Sequence, residues 1–327
     1  MKRFLALILA ALMLACLASC GESSDETKAS ETVTETTEAP LETQAATLSA
    51  ESGKVKDSSP ALDNLKKKGY NVSQLSAKVN YATKEDFGFQ LEKPKKGETI
   101  AILKTSKGDI TLRFFEDYAP NTVNNFIELA KAGKYDGVLF HRVMNDFMIQ
   151  TGDFENNDGT GGKSIYGNSF EDEFCDKFLN IRGSVAMANS GKDTNGSQFF
   201  INQCDAKHYK DNGTFKTYEN NWKQIINQMK DYKDDAQTVG GLASYGTSCL
   251  DTDAVPAAMK KLYEKNGGNI WLDGAYNPSD AGHTVFAEVI DGMDVVDAIA
   301  GADVDSSTSK PVKDITIDSI EITKYKK

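Results

Sequence analysis

The chain has 327 residues, with 37 Lys and Arg against 48 Asp and Glu, a formal net charge of −11 and an isoelectric point near 4.9. That acid surplus argues against a nucleic-acid binder, which needs a basic face toward phosphates, and against electrostatic docking on an anionic membrane. Apolar residues at 39% with 26 glycines are an ordinary globular composition, which excludes collagen-like, coiled-coil and multi-span membrane classes.

Lys2 and Arg3 precede the apolar run Phe4 to Leu17, which is short for a helix crossing a hydrocarbon core of ~30 Å. Residues 1–19 therefore read as an export signal. The segment Leu17-Ala18-Ser19-Cys20-Gly21 is similar to the lipobox of bacterial lipoproteins and marks Cys20 as the lipidated residue. Cys16 is the weaker candidate, flanked by bulky Met13, Leu14 and Leu17. Residues 20–60 carry nine acidic side chains, seven Thr, seven Ser and no aromatic ring. Such a stretch cannot bury enough apolar surface to offset its ordering entropy, so a disordered acidic tether behind the lipid is expected. Cys175, Cys204 and Cys249 show no C-x-x-C pattern. Cys204 with His208 offers too few ligands for zinc, so buried thiols and no metal are expected.

Residues 61–97 form a lead-in with little strand pattern. A domain over 98–325 follows. Ile100 and Ile102, then Ile110, Leu112 and Phe114, alternate around the turn Ser106-Lys107-Gly108-Asp109 and predict a β-hairpin. Pro120 opens a helix whose Val123, Phe126, Ile127 and Ala130 share one face, and Gly133 closes it. Short apolar runs of strand length occur at 138–140, 147–149, 185–188, 199–201 and 285–289. A second short helix is predicted at 293–299, and Ile315 to Ile322 reads as a last strand with a register change. Many short strands framed by two helices point to a closed barrel rather than βαβ layers. Between about 205 and 268 the texture turns helical, with Trp222, Ile225, Ile226 and Met229 on one stripe and Val255, Met259, Leu262 and Tyr263 on another. This segment reads as a helical insertion into the barrel, too long to lack structure of its own.

Four segments carry chemistry: Phe140-His141-Arg142-Val143 with Phe147-Met148-Ile149-Gln150-Thr151-Gly152-Asp153; Gly161-Gly162-Lys163-Ser164 with Phe170-Glu171-Asp172-Glu173; Met187-Ala188-Asn189 with Asn195-Gly196-Ser197-Gln198-Phe199-Phe200; and Trp271-Leu272-Asp273-Gly274 with His283-Thr284-Val285-Phe286. In this order they resemble the cyclophilin-type peptidyl-prolyl cis-trans isomerases, from about Thr99 to Ile322 apart from insertions. The resemblance implies a mainly β fold, a closed eight-stranded antiparallel barrel capped by two helices. It implies Arg142 and Gln150 as catalytic residues. Phe147, Met148, Phe200, Leu272 and His283 would line a proline pocket, Ala188, Asn189 and Gln198 would bind the flanking peptide backbone, and Trp271 would edge the groove.

The physical chemistry agrees with this reading. Rotation about an X-Pro bond breaks amide resonance, a barrier of about 18–20 kcal/mol. A catalyst needs an apolar seat for the ring and a donor aimed at the prolyl nitrogen, and Arg142 is a permanently charged donor on a strand. No cofactor is needed. His141 faces away from Arg142 on the same strand and reads as structural. Gly159-Thr160-Gly161-Gly162-Lys163-Ser164 lacks the first glycine of a phosphate loop and reads as a turn. Glu171, Asp172 and Glu173 read as a solvated acidic loop.

Two departures from the family pattern stand beside the pocket: the helical segment, and the seven residues Tyr276 to Gly282 ahead of His283. Both ends of the insertion lie at the pocket, so it is expected to pack beside the groove and restrict which chains enter. The function expected is isomerisation of proline-containing peptides and unfolded exported proteins. It would be carried out by a lipid-anchored monomer at the extracytoplasmic face of the membrane, without nucleic acid. A catalytically weak proline-peptide-binding chaperone or a surface interaction module stays open as an alternative.

Overall fold

The computed structural model describes residues 54–244 and 249–327. The stretches read as an export signal and as a tether up to residue 53, with Cys20, lie outside the described residues. Lys54–Lys56, read above as the end of the tether, forms strand β1 and pairs antiparallel with β2 (Val79–Tyr81), which pairs parallel with β8 (Phe174–Cys175). Ser59 then caps helix α1 (Pro60–Lys67), its side chain accepting from the Leu62 N–H at 3.1 Å.

The main sheet is a single row of nine strands. Its order is β5 (Val138–Leu139), β12 (Thr316–Lys324), β3 (Thr99–Thr105), β4 (Gly108–Phe114), β11 (Val285–Asp291), β9 (Ser184–Met187), β10 (Phe199–Asn202), β7 (Met148–Thr151) and β6 (Arg142–Met144). This corrects the expected closed eight-stranded barrel: the row curls into an open half-barrel. Its end strands β5 and β6 are joined only through Phe140-His141. The backbone there bonds outward instead of closing the ladder, Phe140 N–H donating to Ile315 O at 2.9 Å and Val143 N–H to Ser309 O at 2.8 Å.

The predicted hairpin is β3–β4, but its inward set differs on β3. Ile110, Leu112 and Phe114 enter the core as expected, whereas β3 contributes Ala101 and Leu103, with Ile102 only half-buried. The register explains this: Leu103 lies opposite Ile110 and Ala101 opposite Leu112, and cross-strand partners share a face. The register change predicted in the last strand is the irregularity between Ile317 and Ser319. Helices α2 (Pro120–Lys131) and α7 (Met293–Ala300) supply Phe126, Val296 and Ile299 to the same core. There Phe126 meets the ring of Phe199 edge-on at 5.3 Å and that of Phe286 at 5.5 Å.

Four α-helices occupy the stretch between β10 and Trp271 among the described residues: α3 (Ala206–Asp211), α4 (Thr214–Met229), α5 (Ala236–Ala243) and α6 (Ala257–Asn266). The stripes read from the sequence are α4 and α6. Trp222 and Met229 of α4 are fully buried, together with Val239 and Ala243 of α5, against Leu62, Leu65, Tyr70 and Val72 of the lead-in. The lead-in is thus half of a second hydrophobic cluster. It also reaches the sheet. The fully buried amide of Gln90 donates to Leu179 O and to Glu288 Oε2, both at 3.0 Å, and accepts from Leu179 N–H at 2.8 Å. The helical segment returns through Gly267 and Gly268, both at positive φ. A Cβ on Gly268 would come within 2.4 Å of the Asn180 and Ile181 backbone, so only glycine fits this crossing.

Candidate active site

Strands β6, β7 and β10 lie side by side, and their register sets the centre of the site: Arg142 opposite Gln150, and Gln150 opposite Phe200. Arg142 is exposed on its strand, while its neighbour His141 is buried on the other face, as the alternation predicts. Arg142 Nη1 donates to Gln150 Oε1 at 3.3 Å, Gln150 Nε2 to Gln198 Oε1 at 3.0 Å, and Gln198 Nε2 to the carbonyls of Gly159 and Gly161 at 2.9 and 2.7 Å. Each amide spends its acceptor on the preceding donor, so the chain runs one way and fixes how the guanidinium is presented.

The terminal carbonyls are held by a residue that the sequence reading missed. Asp153 is fully buried, and its carboxylate accepts from the backbone N–H groups of Asn156, Gly159 and Gly161 at 3.0, 2.9 and 3.1 Å. Those donors hold its pKa below the ordinary carboxylate value, against its own desolvation. The glycine-rich turn is therefore a wall of the site built around one buried anion. The signal was present as an Asp directly ahead of a Gly-rich stretch, since Asp side chains readily bond to backbone N–H groups just downstream.

Beside this chain lies the apolar seat. Met148, Phe200 and Leu272 are buried in one cluster with Ala186 and Val285, and Phe147, Ala188 and Trp271 pack against it half-exposed. His283 stands edge-on to Phe200 with centroids 5.2 Å apart. Its Nδ1 lies 2.8 Å from Met187 O, which assigns the proton to that nitrogen, and burial holds its pKa below the ordinary histidine value. The Arg142 guanidinium lies 5.9 Å from the Phe147 ring centroid. Of the expected peptide-backbone binders, Ala188 already commits its N–H to Gln198 O at 3.0 Å, and the Asn189 amide donates to Gly282 O at 2.8 Å. With Gln150, Gly161, Gly162 and Gln198 they line an adjoining cleft of about 510 Å³.

The two departures from the family pattern leave Trp271 and His283 at the pocket. The stretch before His283 returns to its own beginning. A Cβ on Gly282 would lie 2.4 Å from the Gly274 backbone, and His283 N–H donates to Leu272 O at 2.9 Å. The loop is pinched at its neck, so its length does not move the histidine. On the other side, Asp273 accepts from Asn180 N–H at 2.8 Å and from the Tyr263 hydroxyl of α6 at 2.5 Å. Asn269 Nδ2 donates to Phe147 O at 3.2 Å. The acidic triplet is less solvated than expected: only Glu171 is exposed, while Asp172 is buried, which pushes its pKa up to about 6. Glu173 caps α2, accepting from Thr122 N–H at 2.8 Å. Cys175, Cys204 and Cys249 are buried thiols. The described residues hold no cluster of three or more His, Cys, Asp or Glu able to bind a metal ion.

The family profile for cyclophilin type peptidyl-prolyl cis-trans isomerases matches residues 100–235 and 264–322. A protein of Staphylococcus saprophyticus, named "Putative peptidyl-prolyl cis-trans isomerase", is 41% identical over 225 residues, which is 69% of this chain and 92% of that one. A protein of the same name from Staphylococcus haemolyticus is 40% identical over 234 residues, covering 71% and 96%. Among solved structures, a cyclophilin type peptidyl-prolyl cis-trans isomerase of Cryptosporidium parvum aligns at 24% identity and a TM-score of 0.43, covering 69% of this chain and 97% of that one.

Proposed function

Since the chain belongs to the cyclophilin-type peptidyl-prolyl cis-trans isomerases, we propose that it accelerates X-Pro isomerisation in exported proteins from a lipid anchor at Cys20, as a monomer on the extracytoplasmic face of the membrane. The observation that carries the catalytic part is the oriented Arg142 beside the Phe147–Met148–Phe200–Leu272 seat. The proline ring packs on Met148, Phe200 and Leu272. As the amide twists, resonance is lost and the prolyl nitrogen becomes pyramidal, its lone pair now localised and able to accept a hydrogen bond. Arg142 donates to it. Gln150 and Gln198 keep the guanidinium in place, so no reorganisation is needed at the moment of rotation. His283, neutral, closes the seat as a ring and takes no part in proton transfer. No bond is made or broken, so the reaction calls for no nucleophile.

The test is Arg142→Ala. A preorganised donor to a transition state is worth about 10²–10³-fold in rate, and an exposed side chain contributes within roughly 0.5 kcal/mol to folding. The variant is expected to lose most of its kcat/KM on a proline peptide at unchanged Tm. Near-native kcat/KM would remove Arg142 from the mechanism.

A further inference from the structure

The aromatic edge of the pocket continues past Trp271. Phe147 stacks on the Trp271 indole at 5.9 Å and 23° between planes, and Tyr218 of α4 stacks on the same indole at 5.4 Å and 14°. From the Arg142 guanidinium over Phe147 and Trp271 to Tyr218, every step is a ring contact under 6 Å. Two features fix Tyr218. One turn further along the same helix face, Trp222 is fully buried against the lead-in. Toward the barrel, Tyr218 and Phe215 pack on the cluster that holds Tyr209, Met259 and Tyr263. Tyr218 is half-buried as a residue, so it is not closed off from another molecule.

Resting on the isomerase reading above, we propose that Tyr218 is a specificity-determining residue. With Trp271 it forms an aromatic shelf that favours proline-containing chains carrying an aromatic side chain about three residues from the proline. Two ring steps separate Phe147, at the proline seat, from Tyr218. An extended chain advances about 3.3–3.6 Å per residue, so a side chain about three positions along reaches the shelf. The rings of Trp271 and Tyr218 are already nearly parallel and packed on one another, so an added ring is received without ordering them first. An aromatic pair of this kind shifts an equilibrium by roughly three- to tenfold.

The experiment uses the full chain and proline octapeptides that differ only in Phe or Ala three positions before or after the proline. Both kcat/KM, from a protease-free exchange assay, and Kd, from calorimetry, are measured. The wild type is expected to favour Phe over Ala roughly three- to tenfold on one side of the proline. Tyr218→Phe should keep that ratio, and Tyr218→Ala and Tyr218→Gln should bring it close to one. Both disruptive variants are made, so a folding defect in either leaves the other. A wild type without preference on both sides, or a preference surviving in the Ala or Gln variant, overturns the proposal. A wild type that binds with the Phe preference yet accelerates no peptide would support the shelf and refute the isomerase reading, because the Kd ratio does not depend on catalysis.

Discussion

At the scale of single residues, charge at the pocket is held constant across the physiological range. Arg142 is a guanidinium that stays charged there, and His283 sits below its ordinary value because its burial outweighs the raising effect of its Nδ1 bond to Met187 O. His141, buried behind Arg142, is also held below its ordinary value by desolvation. The kcat/KM profile is therefore expected to be flat from about pH 7 to 9, both imidazoles being neutral there. A bell-shaped or sigmoidal profile centred in that window would mean that a histidine transfers a proton. The residues at this centre were legible in the sequence through the motifs that resemble the family, and the strand register places Arg142, Gln150 and Phe200 side by side. Asp153 was missed, because a buried carboxylate satisfied by backbone donors has no complementary side chain to point to it, and its one trace was its place directly ahead of the Gly-rich stretch.

At the scale of elements, the lead-in is part of the folded domain, and Gln90 is its fastening. Its amide makes three bonds in a fully buried place, to both backbone groups of Leu179 and to Glu288. Removing it leaves Leu179 N–H and O without that partner, and each unsatisfied buried group costs about 1–3 kcal/mol. Gln90→Ala is expected to lower unfolding free energy by about 2–4 kcal/mol, read as a shift of the urea midpoint at constant m. A change under about 0.5 kcal/mol would show that the lead-in contributes little to stability. Strand and helix stripes with strong periodicity, β4, α2, α4 and α6, were readable. The inward face of β3 was not, because apolar residues lie at both parities, Ile100 and Ile102 on one and Ala101 and Leu103 on the other, and only pairing with β4 decides between them. Helices α3 and α5 are short, six and eight residues, and carry too few apolar positions for a period to appear.

At the scale of the whole molecule, the half-barrel, lead-in and helical segment converge on one pocket edge, where Ala82 and Phe89 of the lead-in and Trp271 join the cluster of Met148, Phe200 and Leu272. The count and closure of the sheet were not legible from the sequence. Whether two end strands pair depends on where the Phe140-His141 turn sends its backbone bonds, here to Ile315 and, through Val143, to Ser309. For the anchor, a single acyl chain binds only marginally, so stable attachment needs the several chains of a lipoprotein. Cys20→Ser is expected to move the protein from the membrane to the soluble fraction, and unchanged membrane association would refute lipidation at Cys20. The central claim is tested most directly by following cis-trans exchange of a short proline peptide with the full chain, where the uncatalysed reaction takes roughly 10–100 s. The account predicts exchange accelerated in proportion to protein concentration and unchanged by a metal chelator. A correctly folded chain that leaves the exchange at its uncatalysed rate would contradict it.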